Sequence, residues 1–467
     1  MATALSFARP SLLRQPTRRD RRGRWLSAIA VWLTILLMTV PMDFDYSGTV
    51  PASADGNSLA RALWLSVLAL GWGVVLMRLR IARQVLRETN VFFLLFLALA
   101  VCSLAWSIDP AATAMRLPRL FIQCGAFLAL AVAAWHARRF QNVVLSALTT
   151  LLGASLIFGV LYPEQAIHQS TSYELVNAWH GLTTHKNGFG LVGAVAALLW
   201  LQALLEGRGR PLCVLGLALS LTCVVLSRSS TSLVATIFSC ATLIFMMITP
   251  QRMKAAVRFC ATALTILILV YSLAILRVVP GLDLLLAPIP YITGKDLSFT
   301  GRAEIWAVVV DHIRLRPLLG SGYGAYWVQG VPSPADESYA VVGAMNGFYP
   351  GNSHNGYLDV LNDLGILGLL CLLGYLIFYL RDSLRLMRFD RAQGSLYLTL
   401  LLQQAIINLS EARWFNNTIF VDFALMSFAT TCLARSLVEA RAATRLAPQV
   451  AVQPSRVAAR RPRMPLR

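Results

Sequence analysis

Apolar positions along the chain gather into runs of about twenty residues with short polar connections between them, the pattern of helices that cross a bilayer. Such runs fall at 25–41, 59–77, 91–107, 117–135, 143–161, 188–205, 211–226, 231–248, 257–276, 358–380, 394–409 and 418–434. They predict an all-α polytopic membrane protein with about twelve transmembrane helices. The runs at 211 and 394 are short for a hydrocarbon core of about 30 Å. Composition agrees: of 467 residues 57% are apolar and 13% charged, with a mean hydropathy of +0.62. A chain of soluble domains does not have that balance.

The formal charge of +19 would in a soluble protein point to nucleic acid. Here its placement matters more. Counting both termini and every second connection, 30 of the 41 Lys and Arg lie on one side of the predicted spans, with 6 of the 22 acids. Basic residues are held in the cytoplasm during insertion, so both termini are expected inside. The head with Arg14, Arg18, Arg19, Arg21, Arg22 and Arg24, and the tail after Arg435, then read as topology anchors and lipid-surface contacts, with no nucleic-acid partner. Residues 1–41 have the basic start of a signal peptide, but the apolar run is long and no small-residue cleavage site follows it, so a retained first span is expected. The division expected is a basic cytoplasmic tail at 1–24, nine spans at 25–276, a large folded periplasmic loop containing helices at 277–357, three spans at 358–434, and a basic disordered tail at 435–467. All eight cysteines fall inside predicted spans and form no CxxC, which suits apolar packing rather than a disulfide framework or a zinc site.

Polar chemistry collects in the external loops at 162–187 and 277–357, which hold His168, His180, His185, His312 and His354, five of the six histidines. Long loops on a rigid scaffold commonly carry function. GRAEIWAVVVDHIRLRP predicts an amphipathic helix from about Arg302 to Arg314, with Ile305, Trp306, Val309 and Ile313 on one face. Arg302 falls in its first turn, where the helix already favours an anion; it either serves a phosphate bidentately or pairs with Glu304 or another loop carboxylate. In RPLLGSGYGAYW, Gly320, Gly322 and Gly324 make either a connector or a turn that approaches a sugar closely, with Tyr323, Tyr326 and Trp327 as stacking faces. In NSHNGYLDVLNDLGILG, Asn352 or Ser353 is expected to cap a membrane helix. His354 then lies at its amino end, where the dipole disfavours the imidazolium. A neutral imidazole is what a general base needs; interfacial hydrogen bonding is the plainer role. LSRSSTS places Arg228 in a tight turn between spans, and TTHKNGFG places His185 and Lys186 before another. Each is an ordinary interfacial cation on its own, but if they converge they suit a lipid diphosphate. Metal chemistry has little support: His180 and His185 are five apart without HExxH, and the Asp43-Phe44-Asp45 pattern lacks the WWDxG-type companion of metal-dependent oligosaccharyltransferases.

Taken together and in order, HKNGFG, SRSSTS, TGRAEIW, RPLLGSGYGAYW and SHNGYLDVLNDLGILG resemble the bacterial O-antigen ligase and polymerase superfamily, most of all its ExoQ-like exopolysaccharide polymerases. The resemblance runs roughly from 90 to 435 and is strongest from 299 to 368. It implies a metal-independent, inverting glycosyltransferase with a GT-C-like fold in the bacterial inner membrane, needing no cofactor and working at its periplasmic face. The implied donor is an oligosaccharide on undecaprenyl diphosphate and the acceptor a sugar hydroxyl. Membrane lipids, chain-length regulators and export proteins are the further partners expected. By motif, His354 would be the general base, and Arg228, Arg302 and Lys186 would bind the diphosphate. His185, Asn187, Glu304, Tyr323, Trp327 and Asn355 would contact substrate. Two alternatives stay open: a ligase that moves O-antigen onto lipid A core, and a transporter or flippase of lipid-linked sugars. Transporters keep charges near the bilayer midplane, whereas here nearly every charge lies at a span end or in a loop.

Cysteine labelling from outside the cell is expected to reach a probe at Ser333 and to miss probes in either tail. The opposite pattern would invert the topology.

Overall fold

The structure, a computed structural model, describes residues 18–40, 58–133, 135–169, 175–248, 302–328, 351–415 and 421–451. The expected span at 257–276, Asp43 and Asp45, Ser333, Cys260, most of the large loop and both chain ends lie outside them, as does the side chain of Glu304.

The described chain is helical, with one isolated antiparallel bridge between Ile167 and Trp179. Its helices are α1 (Arg18–Thr39), α2 (Ser58–Leu76), α3 (Leu79–Glu88), α4 (Val91–Cys102), α5 (Pro110–Val132), α6 (Arg139–Leu161) and α7 (Pro163–Ala166). They continue with α8 (Lys186–Leu205), α9 (Arg210–Leu226), α10 (Ser230–Ile248), α11 (Arg302–Leu315), α12 (Gly356–Leu386), α13 (Arg391–Ile407) and α14 (Val421–Ala451). Each of the eleven expected spans that falls on described residues is occupied by one of these helices. Seven are long and apolar enough to cross a membrane, and α3 with α4, bent by 102° at Thr89 and Asn90, make an eighth if counted as one. The chain is thus an α-helical polytopic membrane protein. Outward-facing Leu65, Ile157, Val160, Leu215, Ile237 and Ile377 are well exposed, as a lipid-facing belt requires.

Burial grades inward from that belt. Helix α14 packs against α1, α3, α5, α6, α12 and α13, and α8 is enclosed by α6, α9, α10 and α13. Small residues set the close approaches: a Cβ on Gly71 would lie 2.8 Å from the Ala126 nitrogen of α5. Helix α14 also outruns the expected boundary at 434, because Arg435 pairs with Glu439 one turn on and Arg441 with Glu88 of α3.

Helix ends sort onto two faces. On the arginine-rich face, Arg138 pairs with Glu206 at 2.6 Å and the Arg139 guanidinium donates to the Arg24 carbonyl at 3.0 Å. Arg391 donates to the Met246 carbonyl at 2.7 Å on the same face. The opposite face holds the starts of α8, α11 and α12, the end of α13 and the α9–α10 turn.

Helix α12 is broken at Gly365, whose φ of +64° leaves the helical region. The RPLLGSGYG turn inserts its backbone into the break: Ser321 N donates to Asn362 O (2.9 Å), Gly322 N to Asp363 O (2.8 Å) and Ile366 N to Pro317 O (2.8 Å). The other edge of the turn is tied to the α4–α5 corner, with Ile108 N on Ser321 O at 2.8 Å and the Trp106 indole on Leu319 O at 2.9 Å. A Cβ on Gly320 would lie 2.6 Å from α12 backbone, and one on Gly365 would land on the Leu318 carbonyl. These glycines therefore let two backbones meet, which is the connector reading of the motif.

Gly365→Ala is expected to lower the thermal unfolding midpoint in detergent, through strain and collision of about 1–3 kcal/mol or more. Gly153→Ala in α6, where a Cβ meets nothing within 4 Å, is expected to leave it unchanged or raise it. Equal midpoints for the two variants would remove the role given to the break.

Candidate active site

Four segments meet on the face opposite the arginine-rich one. The first is the start of α8. His185 is its N-cap and accepts from Asn187 N through Nδ1 at 3.3 Å. His168 and His180 stand behind it, the His168 ring centroid lying 5.3 Å from that of His185 and 4.7 Å from that of His180. His168 Nε2 accepts from the Lys186 backbone at 3.3 Å, and the His180 Nδ1 faces Thr183 O at 2.7 Å. The cluster thus shapes the loop. Among the described residues no group of three or more His, Cys, Asp and Glu side chains is disposed to hold a metal ion.

The second segment is α11, running from Arg302 to Leu315 as its periodicity predicts. Ile305, Trp306 and Val309 are buried with Tyr326 and Leu358, and Ile313 packs against them. That face fixes Arg302 at the helix start. The third is Asn352–Gly356. Asn355, rather than Asn352 or Ser353, caps α12, its Oδ1 accepting from Tyr357 N (3.0 Å) and Leu358 N (3.1 Å). His354 precedes the cap in left-handed backbone, φ +53°, which a non-glycine residue adopts only under constraint. The constraints are explicit: His354 N donates to Asn352 Oδ1 (2.9 Å), Ser353 N to Asp359 Oδ1 (2.9 Å), and the Trp306 indole to Ser353 O (2.6 Å). Trp327 also donates to Asp359 Oδ1, at 3.3 Å.

The fourth segment follows α13. Fully buried Asn408 accepts from Arg413 N at 2.8 Å and Trp414 N at 2.5 Å, donates to Gln404 O at 2.8 Å, and offers its own carbonyl to Gly356 N at 3.0 Å. One side chain and its backbone therefore lock the Glu411–Arg413 turn to the His354 turn.

At the junction lies Glu411, 6% exposed. Its Oε1 accepts from the Asn187 amide at 2.6 Å and faces Arg302 Nη2 at 3.4 Å; its Oε2 faces Arg413 Nη2 at 3.4 Å. Burial works to raise this carboxyl, but Arg413, His354 and Arg302 outweigh it and hold the group below its ordinary range. Arg302, Asn187, His185 and His354, expected from separate motifs, thus converge. Arg302 is paired with a loop carboxylate, though one from another segment than Glu304.

Other expected site residues are placed differently. Tyr323 is 2% exposed and its hydroxyl donates to Phe415 O at 3.0 Å, so its ring fills the core beneath the site instead of offering a stacking face. Trp327 is half-buried on Asp359, and Asn355 spends its side chain on the helix cap. Arg228 is exposed, φ +50°, and donates to Val176 O at 2.9 Å. Its turn reaches the fourth segment through Thr231, whose hydroxyl meets that of Ser410 at 2.6 Å. Glu411, Arg413 and Asn408 were not singled out by the sequence reading. A signal was present: Glu411 and Arg413 are the only two charges between Arg391 and Asp422, at the mouth of a span.

Residues 215–373 match the family described as O-antigen ligase. Over 122 residues the chain is 34% identical to the exopolysaccharide production protein ExoQ of Rhizobium meliloti (strain 1021), a stretch that makes up 25% of this chain and 26% of that protein. The resemblance drawn from the motifs to O-antigen ligases and ExoQ-like proteins is supported, over a narrower segment than 90–435. The family match includes Arg228, Arg302 and His354; Lys186, Asn187, Glu411 and Arg413 lie outside it. The matched stretch spans about a quarter of ExoQ's length.

Burial pushes His168 down to about 4, with His180 and Lys186 adding to it, and pushes His185 down to about 3 against the pull of Glu411. An imidazole with a lowered folded pKa takes up its proton more readily in the unfolded chain. Its contribution is complete above the ordinary 6.5 and is lost as pH falls from 6.5 toward 4 and 3. The unfolding midpoint is expected to fall between about pH 7 and about pH 4.5, and less steeply in His168→Gln. An unaltered slope in that variant would remove His168 as a source.

Proposed function

We propose that the protein is a membrane-embedded glycosyltransferase that polymerises undecaprenyl-diphosphate-linked oligosaccharide repeats into exopolysaccharide. It works on the face opposite the arginine-rich one, which positive-inside placement makes periplasmic. The observation that carries this reading is the meeting of Arg302, Arg413, Asn187 and His354 around one buried carboxylate at the membrane rim.

The chemistry follows from the parts. A sugar hydroxyl attacks the anomeric carbon of the lipid-linked donor, and His354 takes the hydroxyl proton as the new C–O bond forms. The bond from that carbon to the diphosphate breaks, and its electron pair leaves with undecaprenyl diphosphate. Attack from the side opposite the leaving group inverts the configuration. Fixed guanidinium groups stabilise the charge that develops on the leaving diphosphate, and they do so best in a site already sheltered from water. The donor is already activated, so no nucleotide is needed outside the cytoplasm. In this reading Arg302 and Arg413 receive the headgroup, and Lys186 at the start of α8 and Arg228 in the α9–α10 turn are the further cations on the same face. The similarity to ExoQ favours a growing polysaccharide as acceptor, and the O-antigen ligase match keeps lipid A core as the second reading. Of the charges in the described core, those at the site all lie at helix ends, which speaks against an ion-coupled transporter.

The test is a reconstituted assay with an undecaprenyl-diphosphate oligosaccharide in EDTA, with and without lipid A core, read by mass. A ladder spaced by the repeat unit is expected, and its loss in His354→Ala and in Arg302→Ala, by about a hundredfold or more in rate. A single adduct on lipid A would make the protein a ligase. Normal product from His354→Ala would remove the assigned base.

A further inference from the structure

Glu411 is an odd resident for a site that receives an anion. It is buried, negatively charged, and occupies the point at which the cations converge. A carboxylate whose only task was to brace two arginines would be expected at 2.7–2.9 Å from them, the spacing of a well-formed charge-assisted contact. Here both guanidinium contacts are 3.4 Å, and the short contact, 2.6 Å, is to the neutral amide of Asn187. Glu411 is therefore anchored by Asn187 and only loosely held by the two cations. Its two oxygens are divided between Arg302 and Arg413, which come from different segments. A phosphate offers the same acceptor pattern with more oxygens and more charge.

We propose that Glu411 is a stand-in for the donor phosphate: it holds Arg302 and Arg413 apart in the ligand-free protein, and the entering diphosphate displaces it from them. This rests on reading the site as a diphosphate cradle. The displaced carboxylate stays tethered within two residues of Arg413 and near His354, so the cradle changes its anion without losing its shape. Asn187, by this account, positions Glu411 and does not bind substrate directly.

Displacement and mere bracing predict opposite signs. Full-length protein in nanodiscs is titrated with inorganic diphosphate. Glu411→Gln keeps the acceptor for Asn187 but removes the competing charge, and is expected to bind about tenfold tighter than the wild type, since one unit charge a few ångströms away is worth at least that factor. Asn187→Ala, which frees the anchor and leaves the charge, is expected to bind several-fold tighter. Weaker or unchanged binding in either variant would overturn the proposal, because a brace whose removal disorders the arginines weakens binding, and simple repulsion without displacement leaves Asn187→Ala at the wild-type value. Arg302→Ala serves as the separate control: wild-type binding in that variant would sink the cradle itself, whereas lost binding there with weakened Glu411→Gln would sink only the stand-in.

Discussion

A carboxylate buried at the rim of a bilayer must be met by cations or give up its charge, because water is not there to solvate it. Glu411 is met by Arg302 from the start of α11, by Arg413 two residues on, and by the Asn187 amide from the start of α8. Three segments far apart in sequence are thereby obliged to share one point. The obligation is mutual, since two guanidinium groups drawn to the same place without an anion would repel one another. The site is a charge balance before it is a site for anything else, and its geometry follows from keeping that balance.

The balance would not hold if the segments carrying it were loose. Two backbone devices keep them fixed. Asn408 satisfies the amides of Arg413 and Trp414 and offers its carbonyl to Gly356, so the end of α13 and the start of α12 move as a unit. Lower down, the break in α12 at Gly365 frees backbone groups that the turn at 317–322 takes up, and the same turn is fastened to the α4–α5 corner. A break in a membrane helix is tolerable only where protein refills its hydrogen bonds. Here the refilling segment is continuous with α11, which carries Arg302. Strain at His354 is held in the same way, by Asp359, Asn352 and Trp306 from three directions.

Much of the fold was legible because bilayer length and the 3.6 period act locally. The runs at 59–77, 143–161 and 231–248 became α2, α6 and α10 within a few residues, and the Ile305–Trp306–Val309 face was buried as its spacing required. What was not legible depends on partners remote in sequence. Nothing around Tyr323 says that its ring will be swallowed by Phe415 instead of facing a sugar. The cap of α12 was misplaced by two or three residues because Asn352, Ser353 and Asn355 are all competent caps, and only the pull of Asn408 on Gly356 selects the last. Glu411 was not singled out, since its role consists of contacts with residues 109 and 224 positions away.

The two faces of the molecule use charge in different ways. On the arginine-rich face the cations are numerous and many are exposed, so each is screened by water and salt and any one is worth little. Their sum sets orientation, and it survives the loss of a member. On the other face the cations at the site are few, with Arg413 buried and Arg302 half-buried beside Glu411, where screening is weak and the loss of either upsets the charge balance. A redundant field suits a task performed once, at insertion. A sparse, buried and mutually dependent set suits a task that requires one anion to be exchanged for another at a fixed place, which is what turnover of a lipid-linked diphosphate would demand of this site.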